Sequence, residues 1–248
     1  MKIFAVNSSP RKKNSNTDRI LLPFLEGAKE AGAEVELVYL YDKKIKPCLG
    51  CYNCWFKTPG ECCQKDDMDE LLPAMMGSDV IVYATPLYVF GMTAQMKLLL
   101  DRIIPSAEPF IELTDAGHCT HPARAGERDA GMVVVSNCGF HEIDNFDEMM
   151  AHFRIIARHS KTKLLGALLR PEGEFLAWGE KLMPEKVKAV YTAARDAGRQ
   201  VVQVGRISEA TEKAVAAELM TKEQFVEGAN AYFKSVLSQP DPGAVRGA

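Results

Sequence analysis

Two stretches of this chain are built for burial on both faces. Residues 80–84 read Val-Ile-Val-Tyr-Ala and residues 131–135 read Gly-Met-Val-Val-Val, with no charge inside either. An uncharged β-prone run of that length predicts a strand covered above and below, which means a parallel sheet between helical layers. The rest of the chain supplies those layers. Further strands are predicted at 2–7, 35–40 and 163–169. A helix is predicted over 16–31, where Ile20, Leu21, Phe24, Leu25 and Ala28 recur at helical spacing. Gly32 is its expected stop, and Pro23 is expected to bend it. More helices are predicted over 67–76, 92–104 and 146–158. Residues 105–129, rich in Pro, Gly and His, read as a long irregular segment. Beyond Pro171 the pattern predicts helices at 184–204, 211–219 and 222–237.

Five strands alternating with helices predict an α/β fold, a doubly wound five-stranded parallel sheet of order 2-1-3-4-5 with extra C-terminal helices, the flavodoxin-like arrangement. The chain of 248 residues divides as a sheet domain over 1–170, with a cysteine-rich loop at 47–63. A helical extension over 171–238 packs on that domain or on a second subunit, and 239–248 is a loose tail. The formal net charge of -3 gives no reason to expect nucleic acid or an acidic membrane surface as a partner. The first apolar run ends at Asn7-Ser8-Ser9, too short for a signal peptide, and no later run reaches membrane-spanning length. The expected compartment is the cytoplasm, where the seven cysteines would be reduced thiols, metal ligands or redox groups.

In open sheets of this kind ligands bind beyond the carboxyl ends of the strands, and three segments occupy that position. The first follows strand 1, where Ser9, Ser15, Asn16 and Thr17 offer hydroxyl and amide groups. Arg11, Lys12 and Lys13 add positive charge there, and the start of the next helix adds free N–H groups. This set suits a phosphate monoester. The Walker pattern and the G-x-G-x-x-G fingerprint are both absent, which argues against a P-loop NTPase and a Rossmann dinucleotide site. An ordinary helix cap beside a solvated basic turn is the competing reading. The second segment is Pro86-Leu87-Tyr88-Val89-Phe90-Gly91. Its aromatics could pack on a planar ring or cover the sheet end as core residues, and Gly91 would let backbone approach a ligand. The third is Asn137-Cys138-Gly139-Phe140-His141 after strand 4. Cys138 is expected to be a buried thiol and His141 an ordinary loop histidine.

Ser9-Pro10-Arg11…Ser15-Asn16-Thr17 resembles the phosphate loop of NADPH-dependent FMN reductase-like proteins, with Ser8 and Ser15 where glycines are usual. Residues 85–97 resemble that family's ring-binding segment. The resemblance implies an FMN oxidoreductase, with NAD(P)H as transient donor and FMN phosphate held by Ser9, Arg11, Ser15, Asn16 and Thr17. It implies that the ring meets Pro86, Leu87, Tyr88, Val89, Phe90, Gly91, Asn137, Cys138 and Gly139. It also implies a homodimer or homotetramer and a small-molecule or protein redox partner.

Cys48, Cys51, Cys54 and Cys62 form a C-x2-C-x2-C run with a fourth cysteine after seven residues. Four thiolates at such spacing can hold a [4Fe–4S] cluster. Pro59-Gly60 can reverse the chain to bring Cys62 back, whereas Cys63 is expected to point away. Zinc, a disulfide switch and idle thiols remain competing readings. Asp66 and Asp67 are expected to cap the next helix rather than bind metal. The segment 48–68 closely resembles iron–sulfur flavoproteins, which implies electron transfer between FMN and a cluster held by the four cysteines. A non-enzymatic electron carrier or redox sensor is the alternative function.

Overall fold

The computed structural model describes residues 1–114, 116–126 and 129–238, so the expected tail at 239–248 lies outside the described residues. Strand β1 (Lys2–Asn7) lies between β2 (Glu34–Tyr39) and β3 (Val80–Pro86). Two two-residue strands follow, β4 (Glu112–Leu113) and β5 (Cys119–Thr120), and then β6 (Gly131–Asn137) and β7 (Lys163–Arg170). The main sheet is parallel, in the order β2-β1-β3-β6-β7. With the β4–β5 hairpin set aside, this is the expected 2-1-3-4-5. Every residue of β3 and β6 is buried, as their uncharged sequences require. The fold is α/β and flavodoxin-like, with helices on both faces and extra helices at the C-terminus.

On one face lie α1 (Asn16–Glu30) and α7 (Pro184–Val204). Their backbones nearly touch. A Cβ on Gly27 would stand 1.8 Å from the Arg195 carbonyl oxygen, and one on Gly198 would stand 1.9 Å from that of Phe24. Helix α1 ends in a Schellman motif: Ala33 N–H donates to the Ala28 carbonyl at 3.0 Å across Gly32 at φ +95°. The other face is covered by α3 (Met68–Met76), α4 (Ala94–Asp101) and α5 (Asp147–His159). The short α2 (Asn53–Phe56) lies within the cysteine loop.

Several elements differ from expectation. Helix α4 is shorter than 92–104, because the Thr93 hydroxyl caps it by accepting from Met96 N–H. The chain then bends through a 3-10 turn at Ile104–Ser106. The segment 105–129 is not wholly irregular, since Glu112 pairs with Thr120 and Leu113 with Cys119. An additional helix, α6 (Phe175–Leu182), precedes α7. Helix α8 (Glu209–Ala216) stops short of 219, and α9 (Lys222–Leu237) starts with a capping box between Thr221 and Gln224. Asp67 gives α3 no side-chain cap. Its carboxylate accepts from Lys44 N–H at 2.6 Å, while Asp66 accepts from Met68 N–H at 3.0 Å. Among the described residues no helix is long and apolar enough to cross a membrane.

Candidate functional site

Asn7 ends β1 and organises the loop that follows. Its Oδ1 accepts from Ser9 N–H at 2.7 Å, and its Nδ2 donates to Asp18 at 2.7 Å. The Tyr39 hydroxyl donates to the other Asp18 oxygen at 2.8 Å. Burial raises the Asp18 pKa, and these two donors partly oppose that effect. Thr93 reaches across from the start of α4 and bonds the Ser8 hydroxyl at 2.8 Å. With Ser8 N–H donating to the Ala84 carbonyl of β3 at 2.9 Å, the loop is fixed from β2, β3 and α4 together.

Within this frame the phosphate-loop residues divide. The Ser15 hydroxyl is the N-cap of α1 and accepts from Asp18 N–H at 3.1 Å. Ser9, Arg11, Asn16 and Thr17 line a cleft at the carboxyl rim of the sheet. Thr17 donates to Asn137 Oδ1 at 2.7 Å, which joins the loop after β1 to the end of β6. Arg11 is not a free cation: it bonds Glu174 at 2.6 and 3.1 Å. Lys12 pairs with Asp42.

The ring segment projects from the end of β3. Tyr88 and Gly91 pair across a two-residue turn, with N–H to carbonyl distances of 2.8 and 3.1 Å. Both central residues are left-handed, Val89 at φ 50° and Phe90 at φ 62°. Such a turn favours Gly and Asn, and a β-branched residue there is strained by about 1–3 kcal/mol. Tyr88 and Phe90 are half-exposed, at 47% and 52%, so they are not core aromatics. Both residues adopt a backbone conformation that glycine takes more readily. Pro86, Leu87 and Tyr88 line the cleft, as do Asn137, Cys138 and Gly139. Ser15, Val89, Phe90 and Gly91 lie beside these residues in sequence but do not line it. A Cβ on Gly139 would meet nothing within 4 Å, so this wall leaves room for a flat ligand. Burial pushes the Cys138 thiol up to about 11. It is therefore protonated at neutral pH and unsuited to thiolate chemistry.

The cysteine loop leaves the carboxyl end of β2 and returns to α3. Cys48, Cys51, Cys54, Cys62 and Cys63 line one cavity. Gly60 N–H donates to the Cys54 carbonyl at 2.9 Å and closes the expected reversal. Cys63 does not point away: its Sγ lies 3.7 Å from that of Cys51. Burial raises the Cys54 pKa, and the neighbouring Cys62, Cys48 and Cys51 raise it further. All seven cysteines are free thiols. The donor chemistry suits iron or another thiophilic metal, since thiolates that repel one another gain from a shared cation. Among the described residues, however, no group of three His, Cys, Asp or Glu side chains is arranged as a ready metal site.

The sequence model for NADPH-dependent FMN reductase matches residues 1–135. The chain belongs to that family. An "Iron-sulfur flavoprotein" of Archaeoglobus fulgidus is 43% identical over 139 residues, covering 56% of this chain and 56% of its own. One from Methanosarcina thermophila is 38% identical over 104 residues, covering 42% of this chain and 53% of its own. The chain spans about half the length of the curated relatives it matches. Among solved structures, an FMN-dependent NADH-azoreductase from Bacillus anthracis in complex with FMN shares the fold at TM-score 0.60 and 17% identity. The match covers 82% of this chain and 99% of that one. An NAD(P)H:quinone oxidoreductase from Methanothermobacter marburgensis matches at TM-score 0.58 and 19% identity, covering 81% and 98%.

The family pattern does not identify the residues that follow β7. Glu174 lines the cleft and holds Arg11. Glu172, buried and left-handed at φ 54°, accepts from Arg170 at 3.1 Å and from Leu219 N–H at 3.0 Å. Its other oxygen lies 2.8 Å from His141 Nδ1. This network ties the third rim segment to the C-terminal helices. The only sequence signal for it was position, directly after the carboxyl end of a strand.

Proposed function

We propose that this chain is an FMN-dependent oxidoreductase that takes electrons from NAD(P)H or a ferredoxin-like protein and passes them to an acceptor such as a quinone. One observation carries the reading: in a member of the FMN reductase family, segments after β1, β3 and β6 converge on one cleft at the carboxyl rim. Bound there, the flavin would supply hydride acceptance and stepwise electron release. The start of α1 would face the phosphate with Asn16, Thr17 and the positive end of the helix. Arg11 would turn from Glu174 towards the phosphate. Tyr88 and Phe90, exposed on their strained turn, would cover the ring and keep water from it. Thr17 would hold the Asn137 amide in place beside the ring.

The cysteine cavity supports the finer reading that Cys48, Cys51, Cys54 and Cys62 bind a [4Fe–4S] cluster. Bound there, the cluster would carry electrons one at a time. The free thiols suit a reducing compartment such as the cytoplasm. We also propose a homodimer or homotetramer, with the helices of 171–238 packing on the sheet domain over 1–170 and on the partner copy.

Purified chain should bind FMN and oxidise NAD(P)H steadily when a quinone is added. FMN binding without steady turnover would favour the electron carrier or redox sensor. Failure to retain or rebind FMN would refute both readings.

A further inference from the structure

Arg102 follows α4 and lies beneath the cysteine loop. Its side chain is 1% exposed and that of its partner, Asp66, 2%. Its NH1 donates to Asp66 at 2.6 Å and to the Lys46 carbonyl at 2.7 Å, and its NH2 donates to Asp66 at 3.2 Å. These bonds pin the two ends of the loop, Lys46 before the first cysteine and Asp66 after the last. They leave the Nε–H unexplained. It is buried and has no partner among the described residues. Buried donors are nearly always satisfied, so an orphan calls for a reason. Arg102 is also among the residues that line the cavity of the five cysteines.

We propose that Arg102 is a positioning and tuning residue for the group the cysteines hold, donating its Nε–H to sulfur at Cys62. The inference rests on the cluster reading given above. A cluster held by four thiolates is anionic, and reduction makes it more so. A buried guanidinium that donates to its sulfur favours the reduced form and raises the reduction potential. Arginine suits the task because its fork can pin Asp66 and the Lys46 carbonyl while Nε faces elsewhere.

The test uses full-length protein purified without oxygen and reconstituted with iron and sulfide. Two variants are compared with wild type. Arg102→Lys keeps the charge and loses the fork. Arg102→Gln with Asp66→Asn removes both buried charges together and so leaves neither unpaired. Iron, sulfide and FMN contents are measured, and the cluster is titrated by electron paramagnetic resonance. In both variants the ratio of reduced to oxidised cluster at a fixed potential should fall about tenfold or more, a shift of ~59 mV to lower potential for one electron, with FMN content unchanged. If one variant loses its cluster, the other decides. An unchanged midpoint potential, or loss of iron from both while FMN is retained, makes Arg102 a structural pin and overturns the inference. Wild-type protein that binds no iron refutes the cluster reading itself.

Discussion

Glu174→Gln removes the charge that engages Arg11 and keeps the length of the side chain. The Arg11 guanidinium gives Glu174 two bonds, at 2.6 and 3.1 Å, and the side chains are 54% and 50% exposed. An ion pair this exposed is worth about 0.2–1 kcal/mol. A phosphate that recruits Arg11 must first break the pair, so the variant should recover that energy on binding. At about 1.4 kcal/mol per tenfold, FMN should bind about 1.4- to 5-fold tighter to Glu174→Gln. Losing a carboxylate beside the phosphate acts in the same direction, and added salt should shrink the gain. Burial would raise the Glu174 pKa, but Arg11 and Asn16 outweigh it and hold it below the usual carboxylate range. The pair is therefore intact at neutral pH, where the assay is run. Quenching of flavin fluorescence measures FMN and riboflavin side by side, the latter having the same ring without the phosphate. Weaker FMN binding, or an equal change for riboflavin, would show that Glu174 does not act through Arg11 on a phosphate.

Four further outcomes are expected. Gly198→Ala should destabilise the chain by about 1–3 kcal/mol in urea denaturation, because its new methyl would stand 1.9 Å from the Phe24 carbonyl oxygen. Val89→Gly should raise the stability of flavin-free protein by about 1 kcal/mol, seen as a higher Tm, because the strained left-handed residue is replaced. With its thiol pushed up to about 11, Cys138 carries about 0.1% thiolate at pH 8. Mass spectrometry after alkylation at that pH should find exposed Cys48, Cys51 and Cys63 modified long before it, and the Cys138 rate should climb about tenfold per pH unit up to its pKa. Cys62→Ser should lose iron on reconstitution while Cys63→Ser retains it, measured as iron per chain; the opposite result would make Cys63 the fourth ligand.

Much of the fold was legible because burial on both faces leaves a plain mark. A strand such as β3 cannot carry a charge, and β1, β3 and β6 carry the rim segments at their ends. What stayed hidden was decided by long-range or turn geometry. Glu174 meets Arg11 across 163 positions, and Arg102 meets Asp66 across 36, with no local pattern to announce either. Cys63 faces Cys51 because the chain reverses after α2, whereas adjacency to Cys62 predicted the opposite. Val89 and Phe90 occupy a turn that their side chains disfavour, so propensity gave no sign of it. Helix α6 begins with no side-chain cap, so it lacked a start signal.

A crystal structure of the chain grown with FMN tests the central claim most directly. The account predicts the phosphate at the start of α1, against Asn16 and Thr17 with Arg11 turned towards it, and the ring between residues 86–91 and 137–139. Flavin bound elsewhere, or a rim closed over by Tyr88 and Phe90 with no flavin inside, would contradict it.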